Sequence, residues 1–158
     1  MPIKPDVQIN LTKEQYKTLV EMVELGRWMA DSTRAKTIKR YDEMEQLVFS
    51  FTKQAGLEEC IDYDDETRMF FPVREFEEAV LFPLKEEYDD YTFWDELAHR
   101  LADRDMLKQF GEKELARMPA EERHDVQDAL VAKYEDESVA HGLDRLEIKN
   151  GSGDFVGD

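Results

Sequence analysis

Apolar residues return every three or four positions over most of the chain, and this period predicts helices. Thr12 with Gln15 forms a capping box that opens a first helix from about Lys13 to Ala30. Tyr16, Leu19, Val20, Val23 and Met29 give that helix its apolar side. Asp31-Ser32-Thr33, three cap formers, predicts a break. A second helix follows over roughly Arg34 to Ala55, with Tyr41, Met44, Val48, Phe51 and Ala55 at helical spacing. Gly56-Leu57 reads as a Schellman stop with its hydrophobic contact. From Glu58 to Pro72 the period is lost, and EECIDYDDETRMFFP reads as the longest loop.

A third helix is expected from Val73 to about Tyr91, bent or broken by Pro83. The clearest amphipathic stretch is Thr92 to Gly111. Thr92 would cap it, and Trp94, Leu97, Ala98, Leu101 and Ala102 form its apolar face. Glu96 and Arg100 make a favourable i,i+4 pair, and Gly111 supplies the stop. Trp94 opens the face, so it is expected to be buried, with Trp94→Ala costing about 3–5 kcal/mol. Pro119 opens a last helix to about His141 carrying Val126, Leu130 and Tyr134, and Gly142 ends it. Val7–Leu11 and Leu143–Ile148 could pair as short strands. These elements predict an all-α fold: one bundle-like domain of four to five helices over residues 1–148, with at most a short two-stranded pairing of the termini. Residues 149–158 are expected to be a disordered tail.

Composition changes this picture mainly through charge. The formal net charge is −17, and 37% of residues are charged. Residues 1–40 hold eight basic and five acidic side chains, residues 41–91 hold four and sixteen, and residues 92–158 nine and seventeen. Such acidity opposes binding to nucleic-acid phosphates and to anionic membranes. The single cysteine, Cys60, excludes an internal disulfide and suits a cytoplasmic setting. No apolar run approaches a membrane span, and MPIKPDVQIN lacks a signal-peptide pattern.

Candidate chemistry is sparse. No glycine-rich phosphate loop and no nucleophile elbow are present. Cys60 lies among Glu58, Glu59 and Asp62, whose charges disfavour a thiolate. Asp62, Asp64 and Glu66 copy positions 1, 3 and 5 of a calcium loop, but Thr67 and Val73 stand where that loop needs Gly and Glu. Glu96–His99 and Glu121–His124 have the Glu-x-x-His spacing of carboxylate-bridged metal bundles, and Glu21, Glu24, Glu43 and Glu45 could add carboxylates. Helical geometry turns Glu96, His99, Glu121 and His124 away from the apolar stripes, which favours solvated faces.

Two charged stretches suit docking: the acidic loop with Asp62, Asp64, Asp65 and Glu66, and a basic island of Arg27, Arg34, Lys36, Lys39 and Arg40. Phe70 and Phe71 are expected to anchor the acidic loop by placing at least one ring in the core. The loop tip above them is expected to be mobile.

The runs LTKEQYKTLVEMVELGRWM, YDEMEQLVFSF and FWDELAHRLADRD together resemble a group of small acidic bacterial proteins of unknown function. The resemblance extends to about Ile148. It implies a bacterial, cytoplasmic setting and brings no site residues. The expected function is a non-enzymatic protein-interaction or regulatory module, without cofactor, that engages a protein partner and is open to homo-oligomer formation. A helical-bundle metal enzyme and an acidic nucleic-acid mimic are the alternatives.

Overall fold

The computed structural model describes residues 8–147. Within them the fold is all-α with one small antiparallel sheet. The order is α1 (Lys13–Asp31), α2 (Lys39–Phe49), α3 (Thr52–Ala55), β1 (Ile61–Asp64), β2 (Met69–Pro72), α4 (Arg74–Phe76), a π-helical turn (Glu77–Leu81), α5 (Phe82–Leu115) and α6 (Ala120–His141). Residue contacts group into two compact units, one up to Glu87 and one from Tyr88 onward, with the boundary inside α5.

The first helix starts and stops where its caps dictate. The Thr12 hydroxyl accepts from the Gln15 amide at 3.2 Å, and the Gln15 side chain accepts from the Thr12 amide at 3.0 Å. The second helix begins later than its periodicity suggests, at Lys39 in place of Arg34. The Asp31 carboxylate accepts from the Ile38 amide at 2.9 Å, so residues 32–37 form a connection tied to the end of α1. Gly56 closes α3 in the left-handed region (φ 64°), and the Leu57 amide donates back to Thr52 at 3.0 Å. Leu57 is then buried in the first core.

The stretch Glu58–Pro72, expected to be a loop, contains a hairpin. Tyr63 faces Phe70 across it, with ring centroids 4.8 Å apart. Strands of four residues give too short a run for periodicity to reveal. Gln46 of α2 clamps the free edge of β2, accepting from the Phe70 amide at 2.8 Å and donating to the Phe70 carbonyl at 2.9 Å. Phe70 packs against the first core as expected, while Phe71 stays exposed. The small β pairing is thus internal to the chain. Gln8–Leu11 and Leu143–Glu147 form no strand, and Val7, Ile148 and residues 149–158 lie outside the described residues.

Pro83 does not break its helix. Proline has no amide hydrogen, and its ring crowds the carbonyl four residues back. The π-helical turn just before it widens the ladder, with the Phe82 amide donating to Glu77 five residues back. The helix then continues, so Thr92 lies inside α5 and is no cap. Gly111, at φ 73° and ψ 161°, interrupts α5 where a stop is expected.

The first unit buries Tyr16, Val20, Phe49, Leu57, Cys60, Ile61, Phe76 and Leu81 around α1. The second packs Ala98 and Ala102 of α5 against Val131 of α6, with Leu130 and Tyr134 alongside. Trp94 is half-buried and donates its indole N–H to Asp90 at 3.1 Å, so it serves as a partly solvated side chain and not as the core plug.

Candidate functional site: an apolar strip beside a buried charge cluster

Helices α1 and α2 run antiparallel, since Tyr16 bonds to Val48 while Arg27 bonds to Glu45. Their shared inner side belongs to the first core. Their shared outer side carries apolar residues at i, i+3 and i+4 on both helices, with no carboxylate among them. Two hollows follow one another along this seam. The larger, 760 Å³, is lined by Leu11, Leu19, Leu47, Val48 and Phe51 among others, with Lys13 at its margin. The smaller, 340 Å³, is lined by Met22, Val23, Gly26, Met29, Tyr41 and Met44, with Arg27 as its one charged wall. Several wall residues stand out into solvent: Met22 is 65% exposed, Leu47 54% and Phe51 49%.

The strip departs from ordinary surface chemistry in two ways. Monomeric proteins rarely expose a contiguous apolar patch above about 600 Å². Here the eight exposed large apolar residues from Ile9 through Phe51, all lining one or other hollow, present on the order of 800 Å², taking about 200 Å² for a fully exposed large residue. Methionine also supplies three of them, Met22, Met29 and Met44, and its flexible thioether adapts to more than one partner shape. The same 3.6-residue spacing predicts a core face. Periodicity alone gives an apolar face and does not say what covers it.

A buried charge cluster sits behind the strip. Glu24 is 3% exposed and Glu45 6%. Arg27 joins them, donating its Nε–H to Glu45 and an Nη2–H to Glu24 at 3.0 Å. Lys85 donates to the other Glu24 oxygen at 3.1 Å and lies 5.4 Å from the Trp28 ring centroid. Burial, then the hydrogen bond shared with Glu24, pushes the Glu45 carboxyl up to about 7. Burial pulls Glu24 the same way, but its hydrogen bond with Glu45, the Arg27 charge and Lys85 together outweigh it and hold Glu24 below the ordinary range. Two carboxylates near one guanidinium and one ammonium thus favour a shared proton near neutral pH. Arg27 accordingly leaves the basic island and becomes a structural cation.

The remaining island residues do not converge on one site. Arg34 donates to the Ala30 carbonyl at the end of α1. Lys39 pairs with Glu43 at 3.1 Å, and Arg40 stacks 4.9 Å from the Tyr41 ring centroid. Lys36 is exposed in the connection between α1 and α2.

The acidic stretch is ordered by its own turn. The Asp64 carboxylate accepts from the Glu66 amide at 2.9 Å and from the Thr67 hydroxyl at 2.7 Å. The Thr67 hydrogen bond, then that of the Glu66 amide, holds its carboxyl below the ordinary range. Asp62 accepts from the Tyr63 amide at 2.8 Å. Arg68 takes a left-handed backbone (φ 58°) to close the turn. The acidic residues thus sit at the end of a hairpin whose turn is hydrogen-bonded through Asp64. Asp62, Asp64, Asp65 and Glu66 are all exposed, and none takes part in an ion pair among the described residues.

The Glu-x-x-His residues do not assemble. Glu96 pairs with Arg100 at 3.0 Å, and His99 bonds through Nδ1 to the Asp95 carbonyl oxygen at 2.9 Å. His124 lies 3.4 Å from Asp128, and Glu121 is exposed in the first turn of α6. Among the described residues no group of three or more His, Cys, Asp or Glu side chains is placed to hold a metal ion. Cys60 is buried, and burial pushes its thiol up, away from nucleophilic use. No helix among the described residues is long and apolar enough to cross a membrane. In comparison with known proteins, the chain matches no family model, no curated protein and no solved structure.

Proposed function

We propose that the protein is a non-enzymatic protein-interaction module whose docking face is the apolar strip along α1 and α2. The observation that carries this reading is the run of exposed Met22, Met29, Met44, Leu47 and Phe51 over two hollows on a chain of net charge −17. A protein this acidic has ample polar surface for solubility, so an apolar strip of this size calls for a cover. The buried thiol of Cys60 fits work in the reducing cytoplasm. A second docking reading, through Asp62, Asp64, Asp65 and Glu66 onto a basic partner surface, is favoured by their fixed and unpaired presentation on the hairpin.

Affinity capture from source cells tests the two surfaces against each other. Three baits are compared: the unaltered chain, Met22→Glu with Leu47→Glu, and Asp64→Lys with Asp65→Lys. Loss of capture in the strip variant alone is expected. Loss in the hairpin variant alone transfers docking to the acidic surface.

A further inference from the structure

We infer that the occupant of the strip is a second copy of this chain, so that two α1–α2 hairpins face one another as a four-helix bundle. This rests on the docking reading of the strip and adds the identity of what docks.

Area is the first argument. A stable interface covers about 800 Å² on each partner, and the strip offers roughly that amount as apolar side chains alone. Its shape is the second. The exposed rows lie on two antiparallel helices, with Met22 and Met29 on one and Met44 and Leu47 on the other. One foreign helix laid in the seam would cover its centre and leave the outer side chains wet. A two-helix surface of the same kind covers both rows, and antiparallel hairpins closing on each other make the common four-helix arrangement. Two-fold symmetry lets one patch serve both partners.

Charge is the third argument. Two chains of net charge −17 repel, so a self-contact needs a face where that repulsion is smallest. Residues 8–55, which hold α1 and α2, carry eight basic and seven acidic side chains, so this part of the chain is close to neutral while the whole is acidic. Gly26 adds a fourth observation. Glycine inside a helix costs stability relative to alanine. A Cβ built at Gly26 meets nothing within 4 Å, so no neighbour in its own chain requires the glycine. Gly26 lines the smaller hollow, where a facing helix could approach closely.

The test uses the purified full chain alone, so it does not depend on any captured partner. Sedimentation velocity is run from low to high micromolar concentration, at low and at raised salt. The unaltered chain is expected to be a dimer that tightens as salt rises, because salt screens the repulsion between acidic copies. Met22→Glu with Leu47→Glu, both at exposed positions, should give a monomer with unchanged helical circular dichroism. Asp64→Lys with Asp65→Lys should leave the dimer intact. A chain that stays monomeric throughout, or a dimer that survives the strip substitutions, overturns the inference. The docking reading stands or falls separately: it survives if a monomeric chain still loses a captured partner on strip substitution, and it falls if capture is unchanged.

Discussion

The unit up to Glu87 and the unit from Tyr88 use different means to hold helices together. The first inserts large side chains, Phe49, Leu57, Phe76 and Leu81, between α1, α2 and the hairpin. The second brings two helices together over Ala98 and Ala102 against Val131, and among its described residues only Met106 is a further buried hydrophobic side chain. Around this narrow seam the second unit relies on polar contacts at the margin. Tyr134 donates its hydroxyl to Asp105 and accepts from Arg104 at 3.1 Å, and Gln127 donates to Asp103 at 2.7 Å. The Arg104 hydrogen bond, then that of Tyr134, brings the Asp105 carboxyl down to about 2. The first unit instead encloses its ions, sealing Glu24 and Glu45 behind an apolar strip. The contrast lies in how the helices are joined and not in how much apolar surface stays uncovered, since Tyr91, Val139 and Leu143 of the second unit are exposed as well.

The largest expected break in this contrast is Phe49→Ala. Phe49 is fully buried at the centre of the first core, so the substitution should cost about 3–5 kcal/mol in chemical denaturation. A cost below about 1 kcal/mol would mean that the first core does not depend on large side chains.

The buried cluster ties the stability of the first unit to pH. Glu45 has a folded pKa near 7, above its unfolded value of 4.5. Its contribution is therefore fully present below pH 4.5 and lost as pH rises toward about 7, on the order of 3 kcal/mol. Glu24 is shifted the opposite way, so its contribution falls only as pH drops below the ordinary carboxylate range. Glu45→Gln mimics the protonated carboxyl, keeping an acceptor for Arg27 and a donor for Glu24. It should flatten the stability profile between pH 4.5 and 7 and leave the variant more stable than the unaltered chain above pH 7. Parallel profiles for the two proteins would contradict the buried-pair account.

The smallest effect is expected at Trp94. Half-buried and hydrogen-bonded to Asp90, it should cost about 1–2 kcal/mol on change to alanine, below the about 3–5 kcal/mol of a core aromatic. Thermal unfolding of Trp94→Ala beside Phe49→Ala measures the difference directly.

Local signals along the chain were enough to place several helix ends. Thr12 with Gln15, Gly56, Gly111, Pro119 and Gly142 each mark an end through their own backbone preferences, and the structure breaks or caps its helices there. What depended on partners distant in sequence was not legible. The hairpin needs Gln46 from α2 to complete the edge of β2. The passage of α5 through Pro83 needs the π-helical turn before it. Arg27, which the sequence groups with the island's surface cations, is enclosed with Glu24, Glu45 and Lys85, residues as far as 61 positions apart. Tertiary structure likewise decided which apolar faces were covered. Helical periodicity records that Met29, Met44, Ala98 and Ala102 lie on apolar sides, and it is the same signal for all four. Packing buries Ala98 and Ala102 against α6 and leaves Met29 and Met44 in water, because burial depends on which surface another element reaches and not on the spacing along one helix.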